Sequence, residues 1–399
     1  MSKGVDELPF DRPLLERWRP ALHYDPQEPY RAISARSMTD YKGNLLVLRD
    51  GSVLARASGV GEALLTLELL SDYPGELVPA DGDRLDAGPD ELAASRHFQE
   101  HADYANRAYG RIARHGGYTW LQYWLWFYYN PKHLLGAGKH EGDWELVQVR
   151  LGRDGAPELV TCSQHETGEA RPWKRVRRYA HADGEHPLIY VAPFSHACYF
   201  EDGAHPYLGG IDNPDGSRPA IMPQVEELGD WKRWPGRWGN SAGVLAPIAK
   251  GKLGGRSPAS PARQGTRWSR PLDYHREGEK IGVWRKVGRG IRLAGKATYP
   301  KLTALSAQLD GQKLTVHYEL DPSPLRPASQ LYVTAHRPPG PGAPDGAVGE
   351  VLLSQAKEIE RRRGSVGLVL PMPLTQCLVV ASALNAARQR SDPVRTTAT

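Results

Sequence analysis

His140-Glu141-Gly142-Asp143-Trp144-Glu145 runs without a break into Leu146-Val147-Gln148-Val149-Arg150-Leu151. The second half alternates apolar and polar residues, the period of a strand with one buried face, so side chains two apart are expected to share a face. Carried back through the first half, that period aligns Asp143 and Glu145 with Val147, Val149 and Leu151. Two carboxylates therefore point at a core. Buried charge is costly unless compensated, and like charges this close do not both ionise without a cation between them. A divalent cation meets that demand. His140 adds a nitrogen, and a mixed nitrogen and oxygen set suits Mg, Ca, Mn or Zn, the coordination number choosing among them. From spacing alone, the competing arrangement is a surface histidine beside a carboxylate pair balanced by arginine from a neighbouring strand.

Upstream, Trp120-Leu121-Gln122-Tyr123-Trp124-Leu125-Trp126-Phe127-Tyr128-Tyr129 is apolar or aromatic on both faces and stops at Asn130-Pro131, the pattern of a central strand buried on both sides. Downstream, Glu158 to Ser163 and Leu188 to Ala192 are β-like by residue type. Before residue 115 the chain predicts minor elements only. These are a short helix from Leu14 to Leu22, a strand at Leu45 to Leu48, a helix or strand from Ala63 to Leu70, and a weakly amphipathic helix from Asp90 to Tyr109. Gly236 to Arg270 is rich in Gly, Ser, Pro and Ala and reads as a long loop closing the first domain.

After Tyr299, short strands are expected at Leu302 to Asp310, Lys313 to Leu320, Gln330 to His336, Val351 to Gln355, Ser365 to Leu370 and Cys377 to Asn385. The expected fold class is thus all-β with minor helices: a β-sandwich over residues 1–275, a linker over 276–299, and a smaller immunoglobulin-like sandwich over 300–399.

Among 399 residues, 33 Pro and 42 Gly point to many turns and short strands. No apolar run follows a basic start at Met1 to Phe10, so no secretory signal is visible and a cytoplasmic address is expected. Trp120 to Tyr129 is far shorter than the roughly 20 residues of a membrane helix, which leaves peripheral membrane contact at most. Cys162, Cys198 and Cys377 are widely spaced and odd in number, so neither a disulfide framework nor a cysteine zinc site is expected. The net charge of +5 favours an anionic partner. Basic residues concentrate in Arg171 to Arg178 and in Trp231 to Arg270, the latter holding nine Lys or Arg and no Asp or Glu. The absence of a nucleic-acid signature, a phosphate loop or a GxSxG elbow removes the main support for nucleic-acid, nucleotide and serine-hydrolase functions.

Three further histidines bear on the acidic junction. His133 lies in the preceding loop, His165 ends the strand Leu159 to Ser163, and His196 sits in Phe194-Ser195-His196-Ala197-Cys198-Tyr199-Phe200. Each alone reads as a hydrogen-bonded structural histidine; together, near one junction, they extend the candidate site. His101, His115, His181, His186 and His205 lie in less patterned stretches and read as structural. Trp144 faces away from the carboxylates and belongs to the core. Trp231, Trp234, Trp238 and Trp268 lie among arginines, where aromatic planes hold sugar rings, although core packing is the simpler expectation.

Tyr118 to Trp124, the run to Asn130-Pro131, the motif His140 to Glu145, Ser163-Gln164-His165, Ser195 to Phe200 and Trp234-Pro235-Gly236-Arg237-Trp238-Gly239 occur in that order. Together they resemble the vacuolar protein sorting-associated protein 62 family over residues 10 to 275. A more distant likeness is to the necrosis-inducing, Nep-like cytolysins, whose GHRHDWE heptapeptide carries a divalent-metal site in a β-sandwich. That likeness implies metal ligands at His140, Asp143 and Glu145. It also puts His133 where the family has an acid and His165 at a pocket histidine. Glu141-Gly142 replaces Arg-His, and the toxins' secretion signal is missing, so cytolytic activity does not carry over. The strands after Tyr299 resemble fibronectin type III domains, which bind or space.

The resulting expectation is a binding protein. His140, Asp143 and Glu145, completed by His133 or His165, hold one divalent cation, and His196, Arg171, Trp234, Arg237 and Trp238 line a rim for an anionic, glycan or lipid head-group ligand. No catalytic residue is assigned. A metal-dependent hydrolase with Glu141 or His196 as general base is one alternative, and a structural trafficking protein without metal is another.

Overall fold

A computed structural model describes residues 5–399 apart from 27, 60–61, 73–82, 89–90, 131–139, 166, 204, 208–209, 241–256, 279–299, 322–327, 339–350, 386–390 and 392–393. The chain is all-β with minor helices, as expected. It divides into two compact units, one of residues 1–22, 28–201 and 220–283, the other of 23–27, 202–219 and 284–399. The expected linker, 276–299, lies outside the described residues from 279 onward.

The first unit is built on a seven-stranded sheet. Strands β1 (Asp6–Leu8), β2 (Arg107–His115), β3 (Tyr118–Asn130), β4 (His140–Leu151), β5 (Pro157–Gln164) and β6 (Thr167–Pro172) follow one another as antiparallel neighbours. A second sheet contains β7 (Arg178–His181), β8 (Gly184–Val191) and β9 (Cys198–Tyr199). Strand β10 (Gln224–Glu227) returns to the first sheet and pairs in parallel with the first half of β2, while β1 takes its second half. Tyr109 therefore belongs to β2 and not to the helix expected from Asp90, which spans Glu91–Glu100.

Strand β3 is buried from Trp120 to Asn130, the two-sided burial its composition demands. On one face Trp124, Trp126 and Tyr128 join Trp144, Trp231, Trp234, Trp238 and Trp268 in an aromatic core. Trp144 and Trp231 stack, with centroids 5.9 Å apart, and the other rings meet edge-on or tilted, Trp126 and Trp238 with centroids 5.2 Å apart and Trp144 and Trp238 5.4 Å apart. Such pairs add about 0.5–1.5 kcal/mol each beyond the area they bury. The register between β3 and β4 is continuous, setting Tyr123 opposite Val147, Leu125 opposite Glu145 and Phe127 opposite Asp143. Both carboxylates thus arise from the apolar face that the alternation predicted. The second sheet covers this face: the Cys162 thiol on β5 donates to the carbonyl of Cys198 on β9 at 2.9 Å. All three cysteines are free and buried.

In the second unit, β11 (Leu302–Asp310), β12 (Lys313–Leu320) and, across it, Arg363–Val369 form one antiparallel sheet. Val351–Glu358, Ala328–His336, Cys377–Asn385 and Val394–Ala398, in that spatial order, form another. Alternation is clean: Leu314, Val316, Tyr318 and Leu320 of β12 are buried while Lys313 and His317 are exposed. The last strand, Val394–Ala398, carries no alternating apolar pattern and was not expected from the sequence.

Candidate functional site: a buried carboxylate and histidine cluster

Gly142 determines how the motif departs from a plain strand. Its φ is +66°, and a Cβ there would lie 2.1 Å from the Trp238 carbonyl and 2.2 Å from the Trp126 ring, so only glycine fits. Within the strand, Glu141 has a different task from Asp143 and Glu145. One Glu141 oxygen accepts the backbone N–H groups of Ala87 and Asn240, each at 2.8 Å. Glu141 is a structural clamp, which leaves the general-base role without support. The Nδ1 of His140 lies 2.7 Å from the Gly142 carbonyl. A carbonyl only accepts, so Nδ1 carries the proton and the ring's lone pair is at Nε2. Burial lowers the His140 pKa, against the opposing pull of Asp143. The ring is therefore neutral, the state in which imidazole ligates metals.

Asp143 and Glu145 are compensated differently. Asp143 Oδ2 lies 3.1 Å from His196 Nδ1 and accepts from the Asn130 amide at 3.4 Å. Burial would raise the Asp143 pKa, but His196 and then His140 outweigh it and hold the group below its ordinary value. Glu145 accepts the Ser163 hydroxyl proton, and Ser163 Oγ in turn accepts the Leu146 N–H at 2.7 Å. Burial, and then the charge of Asp143, push Glu145 up to about 8. One of the two inward carboxylates thus takes up a proton at neutral pH, the response of like charges without a cation between them.

His196 completes the cluster from the other sheet. It is fully buried and stacked on Phe127, with centroids 4.1 Å apart and planes 6° apart. Its Nε2 faces Glu28 Oε1 at 3.6 Å, longer than a hydrogen bond. Glu28 is held by the backbone N–H groups of Tyr30 and Phe194. Burial alone would lower the His196 pKa; Glu28 and Asp143 reverse this and raise it to about 9. The ring is an imidazolium at neutral pH, an acid there and not a general base. Backbone strain gathers here too, with positive φ at His165, Phe194 and His196.

The remaining expected residues divide plainly. His133 lies outside the described residues. The His165 carbonyl accepts from the Arg267 guanidinium, which also reaches the Trp144 carbonyl at 3.4 Å. Arg267 lowers the pKa of both Asp143 and Glu145, though in each case it ranks behind burial and nearer groups. Trp234 and Trp238 are core side chains at 1% and 0% exposure and not parts of a rim. Trp238 Nε1 donates to Ser260 at 2.8 Å. Arg171 spends its charge on Glu169 at 2.8 Å and Glu201 at 3.0 Å. Arg237 joins isolated bridges to Arg84 and Ala259. Among the described residues, the ligand atoms of His140, Asp143, Glu145 and His165 do not form a group of three within 4.8 Å of one another. Sequence reasoning missed Glu28 and Arg267, which come from aperiodic segments distant from β4 in the sequence, one before it and one after.

No family model and no curated protein matches the chain. Solved structures similar to it include Necrosis and Ethylene inducing Protein 2 from the causal agent of cocoa's Witches Broom disease, at 16% identity, covering 57% of this chain and 81% of that one, with a TM-score of 0.29. NLPPya in complex with mannosamine is similar at 13% identity, covering 57% and 79%, with a TM-score of 0.28. The non-toxic HaNLP3 protein is similar at 13% identity, covering 64% and 88%, with a TM-score of 0.28. Likenesses of this extent assign neither family nor activity. The expected resemblances to the vacuolar protein sorting-associated protein 62 family and to fibronectin type III find no support in these comparisons. No helix of the described residues is long and apolar enough to cross a membrane.

Proposed function

We propose that the first unit is a cation-dependent binding module in which Asp143, Glu145 and His140, whose ligand atoms do not all lie within 4.8 Å of one another, draw together on one divalent cation, of the Mg, Ca, Mn or Zn type, that engages an anionic or hydroxyl-rich glycan. The observation that carries this reading is the pair of inward carboxylates on β4, Glu145 opposite Leu125 and Asp143 opposite Phe127 on the apolar face, with burial and the charge of Asp143 raising the pKa of Glu145. A cation removes the need for that proton, and a neutral His140 with its lone pair at Nε2 supplies a nitrogen donor. Bound there, the ion would offer its open positions to ligand oxygens. In this proposal residues 1–275 carry the site and 300–399 form a binding or spacing module.

The test is metal analysis of chelator-treated protein reloaded with each ion, beside Asp143→Asn. Wild type is expected to retain one ion that Asp143→Asn loses, and binding to an array of acidic and amino sugars should vanish with chelator. Equal metal content in both proteins would refute the site.

A further inference from the structure

Strands β7 and β8 form a tight hairpin whose turn reads His181-Ala182-Asp183-Gly184-Glu185-His186. His181 pairs with Gly184 and Tyr179 with His186, so the two histidines are diagonal neighbours on one face of the ribbon. Asp183 sits in the turn between them. Among the described residues this is the one group of three whose ligand atoms all lie within 4.8 Å of one another.

The hydrogen bonding of His186 is the telling feature. This ring is fully buried, with Nδ1 3.1 Å from the Arg19 carbonyl and Nε2 2.9 Å from Asp183 Oδ1. Both partners are acceptors only, and a neutral imidazole has a single N–H. Protein atoms alone satisfy both contacts only if this buried ring carries two protons and a charge. The same Asp183 oxygen also receives His181 Nδ1. A cation between the three groups removes the conflict: Nδ1–H of His186 still donates to the Arg19 carbonyl, and the lone pairs of His186 Nε2, His181 Nδ1 and Asp183 Oδ1 turn to the ion. A backbone carbonyl that fixes the tautomer of a ligating histidine is the usual outer support of such sites.

We propose that His181, Asp183 and His186 bind a divalent transition-metal ion of the zinc class, at a site separate from Asp143 and Glu145. Two imidazoles and one carboxylate favour such ions over Mg or Ca. Arg19 reaches Asp183 Oδ2 at 3.3 Å and is itself near Glu16, so Oδ1 is the oxygen turned to the imidazoles. With His181 and Asp183 about two-fifths exposed at their side chains, a remaining coordination position faces solvent and accepts water or an outside donor.

The experiment uses the full chain, stripped with chelator and titrated with zinc chloride by calorimetry. Metal content is measured after gel filtration, and 1 mM magnesium is present throughout. Wild type and Asp143→Asn are both expected to bind zinc at this site, while His181→Gln and Asp183→Asn weaken it by about tenfold or more. Both of these residues are exposed, and circular dichroism checks their folding. Unchanged zinc affinity in His181→Gln and Asp183→Asn would overturn the proposal, as would no zinc binding in wild type. Zinc lost only in Asp143→Asn would overturn it as well and place the ion in the β4 cluster.

Discussion

Two histidines of the first unit, His196 and His186, are both fully buried and both face an acceptor at each ring nitrogen, yet the charges around them differ. His196 lies between two carboxylates, Asp143 and Glu28, and the two negative charges outweigh burial, so the ring is protonated with a pKa of about 9. His186 faces a neutral carbonyl and a carboxylate oxygen that His181 also claims. The contrast is one of charge: two carboxylates share one imidazole at His196, whereas two imidazoles share one carboxylate oxygen at the hairpin. In the β4 cluster the surplus is negative and part of it is met by protons. At the hairpin a single carboxylate serves two imidazoles, and lone pairs are brought together.

The sharpest way to break the comparison is at the glycines that shape the two sites. Gly142→Ala is expected to cost about 4 kcal/mol or more, because a positive φ and overlap with the Trp238 backbone coincide. Gly184→Ala, where φ is +128° but the added Cβ meets only the mobile end of Arg17, is expected to cost about 1–2 kcal/mol. Urea unfolding of both variants measures the difference, and equal costs would contradict it. Next in size is His196→Ala, which leaves Asp143 and Glu28 without their shared cation and should destabilise by about 3 kcal/mol. Asp183→Asn removes a part-exposed pair and should cost about 1 kcal/mol or less in the same assay.

A finer distinction lies in pH. Glu145 and His196 both have folded pKa values above their ordinary ones, about 8 against 4.5 and about 9 against 6.5. Their stabilisation is therefore complete below the unfolded values and is lost as pH rises through 8 and 9, with a slope of at most about 1.4 kcal/mol per pH unit for each group. Asp143 and Asp183 are shifted down, so their contributions are present above the ordinary carboxylate pKa and fade as pH falls. Stability measured from pH 6.5 to 9.5 should decline, and His196→Gln should flatten the upper part of that decline. A flat wild-type profile would contradict the account.

Much of this was legible in the chain. Trp120 to Tyr129 could only be a strand buried on both sides, and the alternation from Leu146 to Leu151 put Asp143 and Glu145 on the inward face, where the register holds them. The tryptophans after residue 230 were ambiguous because indoles beside arginines suit a sugar rim as well as a core, and only packing showed Trp234 and Trp238 inside. Glu28 and Arg267 approach through long-range closure that no local period encodes. His181 and His186 read as structural from the sequence; Asp183-Gly184 between short β-like stretches is a hairpin signal that would set them directly opposite, whereas the observed turn falls one residue earlier, at Ala182-Asp183, and makes them diagonal neighbours.

The central claim is that β4 directs two carboxylates inward to meet a cation, and its most direct test is proton release on metal binding. With His181→Gln as background to silence the hairpin, magnesium, calcium, manganese and zinc are titrated calorimetrically at pH 7 in two buffers of different ionisation enthalpy. The account predicts one site, absent in Asp143→Asn, that releases about one proton per ion as Glu145 gives up its hydrogen. Binding that persists in Asp143→Asn, or no binding of any of the four ions, would contradict it.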